Sequence, residues 1–138
     1  MKRILYFLLV LAILIAIPLS PVVSSKAQET ASFKVTVAAI CADVVDREPV
    51  NAGNTFKASL GKLYCFTTIT GAHSPTEISH VWYFGNTERA KLNLAINAYS
   101  WRTYSSKIIQ MYETGDWHVD VLGPEGELLK TIEFKITP

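Results

Sequence analysis

The sequence holds little of what makes chemistry easy to place. Its 138 residues include two cysteines, three histidines and two methionines. Neither Cys41 nor Cys65 stands in a C-x-x-C pair, and His73, His80 and His118 form no H-x-H or H-E-x-x-H, so the common metal spacings are missing and no metal is expected. There is no G-x-S-x-G elbow, which leaves Ser105-Ser106-Lys107 without the strand–turn–helix context that activates a serine. No cofactor fingerprint occurs, and no cofactor is expected. A basic stripe is also absent. Lys2, Arg3 and Lys26 fall within the first 27 residues, which hold no acid, and the remainder carries a net charge of about −2. Nucleic acid, which demands a basic footprint, is excluded as a partner.

What is present begins with an export signal. Met1-Lys2-Arg3 precedes an apolar run from Ile4 to Ile17, then Pro18, Ser20 and Pro21 break the pattern, and Ser25-Lys26-Ala27 offers small residues at the −3 and −1 positions. Positive n-region, apolar h-region and small-residue exit predict a signal peptide over 1–27, cleaved after Ala27. The alternative is an uncleaved anchor helix, since Ile4 to Val23 approaches the roughly 20 residues that span a bilayer. Either reading places residues 28–138 in the periplasm or outside the cell, tethered to the inner membrane if the segment stays. In that oxidising setting an even cysteine pair reads as a disulfide, closing a loop of about 25 residues and stabilising by about 3 kcal/mol. Two buried free thiols are the alternative.

Residues 28–138 have the length of one domain with one core. Period-two alternation, the signature of half-buried strands, recurs along them. It marks strands at 33–41, 55–60 with a bend at Gly61 and continuation over 63–70, 76–84, 90–98, 101–109, 116–122 and 128–136. Asp46 to Asn54, with its Pro, Gly, Asn and Asp, reads as turn. No stretch after the leader has a convincing helical period. The expected fold is all-β: an immunoglobulin-like two-sheet β-sandwich of about seven strands behind an N-terminal signal or anchor helix.

Two strands carry the candidate site. Strand 76–84 puts His80, Trp82 and Phe84 on one side, with His80 at the edge of an apolar face. Strand 101–109 separates Trp101, Thr103, Ser105 and Lys107 from Arg102, Tyr104, Ser106 and Ile108. His80, Arg102 and Lys107, lined by aromatics, would make a cationic pocket for a carboxylate, because guanidinium grips it bidentately. The plainer reading pairs Arg102 with Asp46 or Glu48 and leaves His80 a satisfied edge histidine.

These motifs also come in a familiar order. Asp46-Arg47-Glu48-Pro49-Val50, Gly61-Lys62-Leu63-Tyr64-Cys65-Phe66-Thr67, His80-Val81-Trp82-Tyr83, Trp101 to Lys107 and Gly115-Asp116-Trp117-His118-Val119 together resemble the bacterial domain-of-unknown-function 2914 family, over about Cys41 to Ile136. The resemblance implies an exported or membrane-tethered β domain of Gram-negative origin, and no activity. Some similar proteins carry a decarboxylase label, which no motif here supports. Its polar and aromatic signature falls on His80, Trp82, Arg102, Ser106 and Lys107, the expected ligand-binding residues. The function expected is therefore a non-catalytic binding or accessory module for a periplasmic partner or small anionic ligand. The alternatives are a small enzyme using Asp46 or Glu48 with His80 as acid and base, or an envelope-assembly protein that offers a sheet edge.

Overall fold

The structure, a computed structural model, describes residues 33–138. The signal or anchor segment and its cleavage site lie outside the described residues. Nine strands run in order: β1 (Lys34–Val45), β2 (Glu48–Gly53), β3 (Thr55–Lys57), β4 (Lys62–Thr70), β5 (Thr76–Phe84), β6 (Thr87–Ile96), β7 (Ser100–Ile108), β8 (Gly115–Leu122) and β9 (Leu128–Thr137). A single 3₁₀ turn, Ala58–Leu60, is the one helical element among the described residues. The strands form two sheets, ordered β2-β1-β4-β7 and β3-β9-β8-β5-β6. All pairings are antiparallel except β3 on β9.

The alternation that predicted the strands also builds the core. In the five-stranded sheet one row of registered neighbours, Leu92, His80 and Val121, lies beside a second, Ala90, Trp82, Val119 and Ile132. Trp82, Trp117, Val119 and Phe134 from this sheet meet Ile40, Leu63 and Cys65 from the other, and Ile69 meets Ile78, Ile96 and Val121 beyond them. Trp82, Trp117 and Phe134 pack as an aromatic cluster with centroids 6.0 and 6.1 Å apart. The two sheets thus share a continuous apolar filling, as stacked sheets must if each is to bury a face.

Two local features depart from the sequence expectation. The first is a bulge in β1. Val35 pairs with Ile69 but Val37 pairs with Thr68, so Thr36 is an extra residue. One extra residue reverses which side chains face inward. Phe33 and Val35 pack on the core, whereas beyond the bulge it is Ala38 and Ile40 that lie opposite the inward Thr67 and Cys65. Val37 is accordingly exposed and Cys41 sits on the outer face. This overturns the expected disulfide. Cys65 is registered with Ile40, and Cys41 with Tyr64, so the two thiols project from opposite faces of the sheet and both are free. No rotamer brings such sulfurs together, because a disulfide needs Cβ atoms that face each other.

The second departure is the segment read as turn, Asp46–Asn54. Only Asp46 and Arg47 turn, with φ of 51° and 61°, the left-handed pair of a two-residue hairpin. Glu48–Gly53 then pairs with β1 from Val45↔Glu48 to Ile40↔Gly53. Pro49 is tolerated because β2 is an edge strand, which owes no ladder bond on its outer side. The hairpin does not continue straight. Cys41 pairs with Tyr64 while Arg102 pairs with Thr68, four residues further along β4. Yet Glu48 at the hairpin tip forms an ion pair with Arg102. The tip is therefore folded back across the outer face of the four-stranded sheet, and beneath it Cys41 and Phe66 are buried.

Candidate functional site

The five residues expected to bind ligand do not converge. His80 and Trp82 are fully buried between the sheets. Arg102 and Ser106, which share a face of β7, lie on the outer side of the four-stranded sheet opposite Thr68 and Tyr64. Lys107 stands near the end of β7 and donates to the carbonyl of Ile108. The acid–base alternative fares no better geometrically. Asp46 and Glu48 belong to the folded-back tip, with the sheet between them and His80.

What His80 does instead is join the two sheets. Its Nδ1 lies 2.7 Å from Ser105 Oγ of β7 and its Nε2 3.0 Å from Thr67 Oγ1 of β4, while the Trp82 indole N–H donates to the same Ser105 Oγ at 3.1 Å. Thr67 and His80 have no solvent exposure and Ser105 only 4%. Two directions of proton ordering satisfy the ring, each with one imidazole nitrogen donating and the other accepting, so a neutral histidine fits without an orphan. Burial pushes its pKa down from 6.5 to about 4, since charging it here would strand a cation in the core. The signal was readable: His80 falls in register with Ile78, Trp82 and Phe84, all on the inward row of β5. The group is a structural clasp with no route to solvent.

The cleft that does face solvent lies under the hairpin tip. It measures about 360 Å³ and is walled by Asp46 and Arg47 from the tip and by Phe66, Trp101, Arg102 and Tyr104 from the sheet. The Arg47 guanidinium lies over the Trp101 ring, 5.4 Å from its centre. Arg102 pairs with Glu48 and also donates to the carbonyl of Arg47 at 3.4 Å, so the plainer sequence reading of Arg102 is the one the geometry shows. Arg47, by contrast, has no ion pair among the described residues. Tyr104 is about half exposed and stacks edge-on against Tyr64, centroids 6.0 Å apart. The cleft thus offers one free cation on an aromatic shelf, a second cation held by an exchangeable carboxylate, and an apolar floor at Phe66. Arg102 is legible in the sequence and Arg47 is not, because its place depends on the fold-back of a hairpin whose second strand has the composition of a turn. Among the described residues no three His, Cys, Asp or Glu side chains gather as a metal site would require.

A second depression, about 430 Å³, lies on the other sheet beside Asp116, His118 and Glu133. His118 there stacks on Tyr83 with centroids 4.6 Å apart, and the buried side chains beneath, Trp117 and Phe134, are core aromatics.

No curated protein matches the chain. The family model described as Protein of unknown function (DUF2914) matches residues 75–136, the run from β5 to β9 that supplies the clasp residues His80, Trp82 and Ser105 and the sheet wall of the cleft at Trp101, Arg102 and Tyr104. The upstream motifs of the resemblance, Asp46 to Val50 and Gly61 to Thr67, lie outside that match, and it is across 75–136 that the chain carries the sequence pattern of the DUF2914 family.

Proposed function

We propose that the chain is an exported, non-catalytic binding module on an immunoglobulin-like scaffold, and that it receives a small carboxylate or comparable anion in the cleft beneath the β1–β2 hairpin. The observation that carries this reading is Arg47: its guanidinium rests on Trp101, faces the cleft and lacks a carboxylate partner among the described residues. A guanidinium held over an indole by cation–π attraction loses less freedom on binding than a free side chain. Arg102 is the second contact, released when the ligand's carboxylate takes the place of Glu48 on an exposed pair that contributes little by itself. Trp101, Tyr104 and Phe66 supply the apolar wall usual in small-molecule sites. Export by residues 1–27 and residence in the periplasm complete the proposal.

Thermal-shift titration with acetate, citrate and inorganic phosphate tests it, using the wild type, Arg47→Ala and Arg102→Ala. A ligand that binds the folded state raises the melting temperature by mass action. The expected result is a shift in the wild type that Arg47→Ala abolishes and Arg102→Ala reduces, with both variants melting cooperatively. Equal shifts in all three chains would remove the cleft as the site.

A further inference from the structure

The far end of the molecule carries an apolar tip that the cleft does not use. The 3₁₀ turn at Ala58–Leu60 and the loop after β7 meet there, joined by a bond from Ile109 N–H to the Gly61 carbonyl at 2.9 Å. Leu60 of the turn, Ile108 at the end of β7 and Met111 and Tyr112 of the loop project there with 50, 60, 66 and 76% of their surface exposed. The loop that carries Met111 and Tyr112 is held rigidly. Glu113 is fully buried; its carboxylate accepts the Gln110 N–H at 2.9 Å and pairs with Arg89 at 2.7 Å. Its backbone N–H donates to the Gln110 carbonyl, and its own carbonyl accepts the Trp117 indole N–H at 2.9 Å. A buried carboxylate is costly unless its bonds are met. Here four hydrogen bonds fix a turn whose outward product is an exposed Met-Tyr pair. Behind the tip stand Lys107, whose ammonium donates to the Ile108 carbonyl at 2.7 Å, and Lys62, registered opposite Ile108, whose ammonium lies 5.2 Å from the centre of the Tyr64 ring; Lys57 precedes the 3₁₀ turn in the chain. The one acid in the loop is already neutralised by Arg89.

We propose that this tip enters the surface of a bilayer that contains anionic lipid. Aliphatic and thioether side chains on a protruding turn reach the acyl boundary, the tyrosine ring suits the headgroup level, and ammonium groups just behind them meet lipid phosphates. The basic rim selects an anionic surface. Four side chains on a protruding tip fall short of the roughly 800 Å² per partner of a standard protein interface, but suffice for a weak, reversible attachment.

Residues 28–138, the chain left after cleavage at Ala27, mixed with preformed phosphatidylcholine vesicles with and without phosphatidylglycerol, test this directly. An environment-sensitive dye is attached through Met111→Cys, with a Ser74→Cys chain labelled at the opposite end as control, both with Cys41→Ala because only the hairpin covers that free thiol; Cys65 is in the core. The expected result is a blue shift and quenching by nitroxide-bearing lipid at position 111 but not at 74, stronger with phosphatidylglycerol and weakened by salt. Leu60→Asp with Tyr112→Asp should lower vesicle binding by about tenfold or more while the chain stays folded. Equal dye response at 111 and 74 overturns the proposal. So does quenching indifferent to both lipid charge and salt. A spectral shift that needs no vesicles and grows with protein concentration overturns it too, in favour of contact between chains.

Discussion

Replacing Ser105 by alanine should be among the most damaging single changes in the core, although it removes one oxygen. Ser105 Oγ is the shared partner of His80 Nδ1 and the Trp82 indole N–H, and all three residues are buried. Alanine leaves both nitrogens facing hydrocarbon, with no water able to reach them. Each orphaned group costs about 1–3 kcal/mol, so the loss is about 3 kcal/mol, a large share of the total stability of a small domain. Thr67→Val is the internal comparison. It is close to isosteric and orphans only His80 Nε2, so it should cost about half as much. Urea denaturation followed by tryptophan fluorescence reads both. At an m-value of about 1.5 kcal/mol per molar, Ser105→Ala should move the midpoint down by about 2 M and Thr67→Val by about 1 M. If Ser105→Ala lies within about 0.5 kcal/mol of the wild type, the hydroxyl is not the clasp described here and the reasoning fails.

Three further outcomes are expected. His80 titrates at about 4 when folded and near 6.5 when unfolded, so between those values the unfolded chain binds more protons. Stability is therefore full above pH 6.5 and declines by about 3 kcal/mol as pH falls to 4, and His80→Gln should lack that slope in denaturation measured across the window. Glu113→Ala should destabilise by about 2 kcal/mol, less than a fully buried pair would cost because Arg89 is one-third exposed and can turn to water; chemical denaturation checks this. Purified under oxidising conditions, the chain should show the same mass and melting temperature with and without reductant, because Cys41 and Cys65 stand on opposite faces of the sheet.

How far the sequence could be read differs from one segment to the next. Strands β5, β7, β8 and β9 follow directly from alternation, since each has one row pressed into the core and turn residues at its ends. Strand β2 was hidden because Pro49, Asn51 and Gly53 are turn formers wherever both sides of a strand must pair, and only its edge position makes them admissible. The bulge at Thr36 left no mark in a segment where valines and alanines stand on both phases, so the facing of Cys41 could not be derived from spacing. Alternation puts His80 on the inward row, but local pattern does not separate an edge histidine from a buried one. The hydroxyls that satisfy it come from strands 13 and 25 residues away, and no local pattern announces them. Arg102 stands out through its neighbours in the chain, whereas the place of Arg47 depends on a long-range fold-back.

That fold-back makes the two cysteines into separate clocks. Cys65 belongs to the shared core and can meet a reagent only when the sheets part. Cys41 lies outside the core, against the backbone of Val50 and Asp43, and is covered by the folded hairpin alone. Thiol labelling should therefore proceed in two phases, the fast one at Cys41 set by local opening of the hairpin and the slow one at Cys65 set by global unfolding. A ligand that closes the hairpin onto β7 would slow the first phase far more than the second, so the chain reports occupancy of its cleft through a residue that never touches the ligand.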